Sequence, residues 1–337
     1  MTTKLLEKLD SAAKTPDKAT RQTLAEWRKE LTDAAESSGL PQAELEPVLA
    51  QVGPHYAAAD RLALQEQRRL RAMDITVALA SVCGVAAGVL DRIVDLGATV
   101  PILIGGACAA VGLVFVLVRR ARVQQRWVQA RYISEVFRTA PFATLAGVDL
   151  RQVEHEAVET LAASPNPSPL LRDRLHDTLP TLAGGCADPH LAEFVRIAWF
   201  DHQCAYHSTN RRKKRSGLAL ARIVAALAFG ASMVAAVVSL AQVAARGDAA
   251  STPGPISFLS TVLPAVATNA LFLLTAREFA RVSTRSGRMA REFAALAAKL
   301  PSGTPLPDVE RVVGEAAEMA LLEAYEWSVL LGSARDL

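Results

Sequence analysis

The side chains best suited to ligation or acid–base work lie close together at Asp201, His202, Cys204 and His207. On a helix, Cys204 and His207 share a face, whereas His202 and His207 stand five apart and diverge. A spacing of four would let two imidazoles meet one ion. A single helix cannot close a tetrahedral site, so Cys186 or His190 would have to complete it. The plainer reading is a polar helix surface, with no metal and no cofactor expected. No Gly-rich phosphate loop, nucleophile elbow or kinase or protease signature accompanies these residues, and Gly184-Gly185 reads as a loop. The sequence points away from an enzyme.

The second kind of chemistry is charge. Arg211, Arg212, Lys213, Lys214 and Arg215 form a run of five cations just before a long apolar stretch. Next to a bilayer such a run attracts anionic lipid headgroups, each cation contributing about 1 kcal/mol. The same charges also fix which side of the membrane the segment occupies. A nucleic-acid partner is not expected, because a bilayer would screen one side of any duplex.

The elements that would position these residues are set by hydropathy. Of 337 residues, 51% are hydrophobic and 21% charged, and the mean hydropathy is +0.20. The excess lies in four uncharged stretches: Ile75 to Leu90, Leu96 to Val118, Ile223 to Ala245 and Ile256 to Ala276. A helix needs roughly 17 to 25 apolar residues to cross the hydrocarbon layer. The first stretch is short by that rule and must borrow Met73 or thin the bilayer. The rest is rich in Arg, Glu and Ala at helical spacing. The expectation is an all-α integral membrane protein with two transmembrane hairpins and a cytoplasmic helical bundle. Its segments would be an N-terminal helical region (1–72), hairpin 1 (73–120), a middle helical region (121–216), hairpin 2 (217–276) and C-terminal helices (277–337).

Flanking charge orients the hairpins. Arg61, Arg68, Arg69 and Arg71 precede the first stretch, and Arg119, Arg120, Arg122 and Arg126 follow the second. The five-cation run precedes the third, and Arg277, Arg281, Arg285 and Arg288 follow the fourth. The connectors hold only Arg92 and Arg246, beside Asp91, Asp95 and Asp248. Cationic flanks stay in the cytoplasm, so both termini and the middle segment are expected there, with a bacterial inner membrane as the host. Met1 to Asp10 lacks the apolar core of a secretory signal. Cys83 and Cys108 sit in apolar runs, far from Cys186 and Cys204, and imply no disulfide.

Within the stretches, Gly84 with Gly88 and Ala226 with Gly230 form small-xxx-small pairs, expected at helix contacts. Pro264 should bend its helix or leave a carbonyl unpaired. Asn269 places an amide deep in the apolar layer, where such groups more often join helices than line a conduit. Any conduit would have to draw on Ser260, Thr261, Thr268 and Asn269. No stretch carries a charge at its centre, which argues against a proton-coupled pump.

Each hairpin is followed by a basic helix, and the two share a pattern. Arg131 and Glu135 stand four apart before Phe137, and Arg288 and Glu292 stand four apart before Phe293. This suggests a duplicated unit. Apolar stripes run through Val123, Trp127, Ala130, Ile133 and Phe137, and through Val282, Met289, Phe293, Leu296 and Leu300. The last helix, expected to open at Asp308, offers Val313, Ala316, Ala320, Ala324, Trp327 and Leu331 as a partner stripe. Its Glu310, Glu315, Glu318, Glu323 and Glu326 are placed to face arginines. Asp17 and Asp188 read as helix caps, and Pro41 as the opening of a long helix.

Paired hairpins with an Arg-rich following helix, together with Trp199, Gln203, Tyr206, His207, Met289, Met319, Glu323 and Trp327, resemble the bacterial SLATT family. The resemblance spans about Leu62 to the C-terminus. It implies a non-enzymatic effector of the inner membrane in anti-phage or inter-bacterial conflict, oligomerising into a pore in contact with membrane lipids. The chain departs from the simplest members in having two hairpins and no recognisable nucleotide-sensing or signalling enzyme fused to it, which leaves the trigger, a cytoplasmic protein or a nucleotide signal, open; the N-terminal helices, outside the resemblance, are the candidate receiver. A membrane-anchored scaffold for a cytoplasmic partner and a small-solute carrier are the alternatives.

Overall fold

A computed structural model describes the backbone of residues 2–94, 99–160, 169–180, 185–246, 255–276 and 279–332. Among these the chain is all helical. Its elements are α1 (Thr2–Lys14), α2 (Lys18–Ser38), α3 (Gln42–Val94), α4 (Thr99–Ala146), α5 (Leu150–Thr160), α6 (Pro169–Thr178), α7 (Leu191–Val195), a π-helical segment (Arg196–Asp201), α8 (His202–Arg246), α9 (Pro255–Ala276), α10 (Phe279–Ala298) and α11 (Leu306–Gly332).

Local signals explain the breaks. Asp17 caps α2 by accepting the Thr20 N–H at 2.7 Å. Gly39 ends α2 in the left-handed region at φ 84°, which lets its own N–H and that of Leu40 return to the Ala35 carbonyl. Pro41 precedes α3, whose first residue is Gln42. α11 opens at Leu306, two residues ahead of the expected Asp308, because the Asp308 and Val309 N–H groups already turn back onto the Pro305 carbonyl. Asp188 also acts earlier than expected. Its carboxylate takes the His190 N–H at 2.8 Å, so it closes the turn leading into α7 rather than capping the helix. From Leu191 the helix runs through the π segment into α8 up to Arg246, so Trp199, the five-cation run and the third apolar stretch share one continuous rod.

The chain forms two compact units. Unit 1 comprises Met1–Arg68, Arg122–Ser208 and Arg288–Leu337, and unit 2 comprises Arg69–Ala121 and Thr209–Gly287. Unit 1 has a continuous apolar core. The stripe on the second half of α4 is buried at Val123, Ala130, Ile133 and Phe137. The α10 stripe buries Met289, Phe293, Leu296 and Leu300, and the α11 stripe buries Val313, Ala316, Ala320 and Ala324. All belong to one cluster except Val123, which lies outside it. Trp327, Glu326 and Leu331 have side chains outside the described residues.

Unit 2 is built differently. In α8 the residues turned inward are small: Ala225, Ala228, Ser232 and Ala235 are buried. Ala225 and Ala228 pack with Ala267 of α9, flanked by Leu263, Val266 and Ala270. Large apolar residues point outward. Leu220, Leu227, Val234, Val237 and Leu240 are between 62% and 71% exposed. Among the described residues one helical run, Leu191–Ala245, is long and apolar enough to cross a membrane; its most apolar window has a mean hydropathy of 2.4 and is 17% buried. Phe258–Phe272 is a shorter apolar stretch within α9. The first two expected spans fall in α3 and α4, where the side chains of residues 87–105 and 107–121 are not described apart from Gly106.

Candidate functional site

The π segment, with one extra residue per turn, lies just before α8 and carries Trp199 at its centre. Trp199 is 1% exposed and stacks on Phe142 at 4.8 Å and 10°, with Phe200 and Phe293 around it. Its indole N–H is buried without a hydrogen-bond acceptor. One helical turn further on, Gln203 is buried, and another turn brings His207, also buried. The His207 ring stacks on Phe293, centroids 6.0 Å apart, and its Nε2 lies 3.9 Å from a Glu323 carboxylate oxygen. Tyr206 meets His207 edge-on and remains 45% exposed. Of the family-like residues, Trp199, Gln203, Tyr206, Met289 and Glu323 all belong to unit 1, and His207 and Phe293 link three of their helices.

The four ligand-type residues are not brought together. Asp201 accepts from Arg196 at 2.8 Å, and His202 Nδ1 lies 2.9 Å from Glu30. The Cys204 thiol donates to the Ala290 carbonyl at 3.4 Å, and His207 turns into the aromatic cluster. Among the described residues no group of three or more His, Cys, Asp or Glu is placed to hold a metal ion.

Beside this cluster runs a partly buried chain of charges. Glu135 on α4 pairs with Arg131 one turn earlier and with Arg138 three residues later. Arg131 also faces Asp60 of α3 at 3.7 Å. Burial works to raise the Glu135 carboxyl, but Arg131, Arg138 and His207 outweigh it and hold the group below the usual carboxylate range. For Asp60 burial prevails over Arg131, and its carboxyl is raised. Burial opposes the Arg131 charge too, yet Glu135, Tyr206 and Asp60 keep its guanidinium firmly protonated. The similarly spaced pair on α10, Arg288 with Glu292, also forms, at 2.7 Å. The shared spacing therefore gives one buried and one exposed copy of the same bond.

On the expected acidic face of α11, Glu315 departs from the expected partner. Glu315 pairs with Lys299 at the end of α10 and with Arg311 of its own helix, not with the α10 arginines. The reason is register, because Glu315 lies opposite the C-terminal end of α10, past the arginine-bearing turns. A second buried polar group was not legible in the sequence. The Tyr132 hydroxyl donates to Glu154 Oε1 at 2.6 Å, and His176 approaches Glu154 Oε2 at 3.2 Å. Three helices contribute one residue each, so no spacing rule could have found it.

In unit 2 the amide of Asn269 donates to Ser81 Oγ at 3.2 Å and to the Ala265 carbonyl at 2.8 Å. Pro264 removes the N–H that would have reached the Ser260 carbonyl, and Ser232 of α8 supplies a hydroxyl to that carbonyl at 3.0 Å. The expected small-residue pair Ala226 and Gly230 is exposed, and nothing lies within 4 Å of a Cβ built on Gly230. The contact with α9 uses the neighbouring stripe that begins at Ala225, one residue earlier. Two small-residue stripes interleave in this helix, and the sequence does not rank them. Gly84 is likewise exposed with open space around it. The surroundings of Gly88 lie outside the described residues.

The five-cation run sits at the start of the second segment of unit 2, Thr209–Gly287. Arg211, Arg212, Lys213 and Arg215 are exposed. Asn210 donates to Ser286 of α10 at 2.9 Å, and the Arg211 side chain lies across Gly287, with Cδ and Nε 3.0 Å from where a Cβ would stand.

No protein-family model matches the chain, and no curated protein or solved structure matches it.

Proposed function

We propose that the protein is a non-enzymatic effector of a bacterial inner membrane, with unit 2 surrounded by lipid and unit 1 in the cytoplasm. The observation that carries this reading is the outer surface of α8. Leu220, Leu227, Val234 and Leu240 are each at least 64% exposed along a rod whose only buried positions in that stretch are Ala or Ser. In water such a surface would cost roughly 25 cal/mol for every Å² of apolar area, whereas in lipid it costs nothing.

Charge supports the same reading. The chain passes between the two units four times, at 68/69, 121/122, 208/209 and 287/288. Basic residues cluster at every passage: Arg68, Arg69 and Arg71; Arg119, Arg120 and Arg122; Arg211 to Arg215; Arg281, Arg285 and Arg288. This is the pattern of a cytoplasmic interface repeated for four spans in two hairpins.

The effector step is assembly of copies through the spans followed by permeabilisation. It is supported by the resemblance to the SLATT family and by Gly84, Ala226 and Gly230, small residues that are exposed among the described residues. The trigger would reach unit 1, as a protein partner or a nucleotide signal. A second reading, a membrane-anchored scaffold, is favoured by Asn269 and Ser232, whose polar atoms hold the helices of unit 2 together. Induced expression in a bacterial host separates the two. Uptake of an impermeant dye with growth arrest is expected for the effector, and intact membranes while a cytoplasmic partner co-purifies would leave the scaffold.

A further inference from the structure

We infer that α8 and α10 of unit 2 form a binding seat for the phosphate of an anionic glycerophospholipid, with Arg211 and Arg215 as its cations and Gly287 as the residue that positions Arg211. This rests on the membrane reading above and adds a chemically specific ligand to it.

The first observation is geometric. The Asn210 to Ser286 hydrogen bond at 2.9 Å and the contact of Arg211 with Gly287 set α8 and α10 side by side in a fixed register. A Cβ on Gly287 would meet the Cδ and Nε of Arg211 at 3.0 Å and its Cζ at 3.2 Å. The stem of Arg211 thus lies on bare backbone while the residue stays exposed. A long cationic side chain normally samples many rotamers, and one laid along a neighbouring helix has less freedom to lose on binding. Ser283 and Ser286, both buried, extend the small face of α10 that allows this approach.

The second observation is charge. α8 contains no Asp or Glu from His202 to Arg246, so Arg211, Arg212 and Arg215 have no acidic neighbour on their own helix. Arg215 is one turn beyond Arg211 on the same face, which places the roots of the two side chains about 6 Å apart along the axis. Planar forks suit phosphate oxygens better than ammonium groups do.

The third is depth. Residues 216–221 are uncharged, and Leu220 among them is 64% exposed. Arg222, which follows, has a side chain long enough to reach back to the polar layer. Arg215 stands five residues before Leu220, or about 8 Å of helix. The headgroup layer on each side of a bilayer is about 5–8 Å thick, so Arg215 lies at its outer rim and Arg211 one turn above it, and a phosphate seated between them would lie at the outer edge of that layer.

The test uses full-length protein in a zwitterionic detergent, with lipid retention followed by native mass spectrometry during titration. The probes are short-chain phosphatidylglycerol, phosphatidylcholine and inorganic phosphate. Phosphatidylglycerol is expected to bind in preference to phosphatidylcholine, and Arg211→Gln with Arg215→Gln to weaken it about 30-fold. Gly287→Val, which keeps every charge but displaces Arg211, is expected to weaken it as well. Equal retention of the two lipids, or a double Gln variant that binds like the parent, overturns the proposal. So does saturation by inorganic phosphate at the same concentrations, which would assign the seat to a soluble anion. Should Gly287→Val fail to fold, the two exposed Gln substitutions decide alone. Loss of lipid preference in a protein that still resists extraction from membranes sinks this seat and leaves the membrane reading standing.

Discussion

The hydroxyl of Ser232 on α8 donates to the main-chain carbonyl of Ser260 on α9 at 3.0 Å, and that carbonyl is the one an N–H at position 264 would meet if Pro264 had one. In an apolar layer an unsatisfied carbonyl is costly, so one side chain both repairs the proline break and joins two helices. Ser232→Ala should lower stability in detergent by about 0.6–1.7 kcal/mol. Pro264→Ala in the same background should restore most of it, since an alanine at that position returns the missing N–H. A thermal-melt double-mutant cycle with no rescue would show that the two residues are not coupled.

Charges in unit 1 give the second prediction. Glu135→Gln leaves Arg131 and Arg138 facing a neutral group and should cost about 3–5 kcal/mol, whereas Asp60→Asn should be neutral or stabilising at pH 7, because burial already disfavours the Asp60 charge. The signs with pH follow. Glu135 is held low, so its contribution is present above the usual Glu value near 4.3 and is lost as pH falls through its folded value. Asp60 is raised, so its protonation on acidification opposes that loss. Burial lowers His55, so its neutral form is favoured and acid begins to cost stability below about pH 6.5. Chemical denaturation between pH 4 and 8 should show stability falling with acid, more steeply in Asp60→Asn than in the parent. An unchanged slope in that variant argues against the assignment.

Trp199 tests the aromatic cluster. Trp199→Ala removes a fully buried ring stacked on Phe142 and should cost about 3–5 kcal/mol. Trp199→Phe should cost clearly less, because it also removes an indole N–H buried without an acceptor. Equal losses in the two variants, read by denaturant midpoints, would mean that the N–H carries no penalty.

Periodicity made most of the helices and the apolar faces of α4, α10 and α11 readable, because a 3.6-residue repeat is local information. It also made Arg131 to Glu135 and Arg288 to Glu292 readable as matched pairs. It did not tell that the first would be buried against Asp60 while the second faced solvent, since that depends on which helix packs alongside. Small residues were misleading for a related reason. Ala225 and Ala226 are equally small, and only the packing of α9 picks the stripe starting at Ala225. The seat for Arg211 on Gly287 and the Tyr132, Glu154 and His176 group join residues from separate helices, and spacing along one helix cannot reveal them.

The choice of stripe is itself testable. Ala228→Leu should force α8 from α9 and lower the melting temperature, with overpacking worth about 1–3 kcal/mol. Gly230→Leu, on the open face, should leave the monomer's melting unchanged and reduce cross-linked assembly in membranes. The reverse pattern would place Gly230, not Ala228, at the contact within the chain.

Lipid around the outer face of α8 is the central requirement of the proposed membrane placement. Membranes from cells expressing the full chain, washed in alkaline carbonate and then sedimented, measure this. The protein is expected to remain wholly in the membrane pellet and to need detergent for release. Recovery in the carbonate supernatant as a monodisperse species in plain buffer would contradict it.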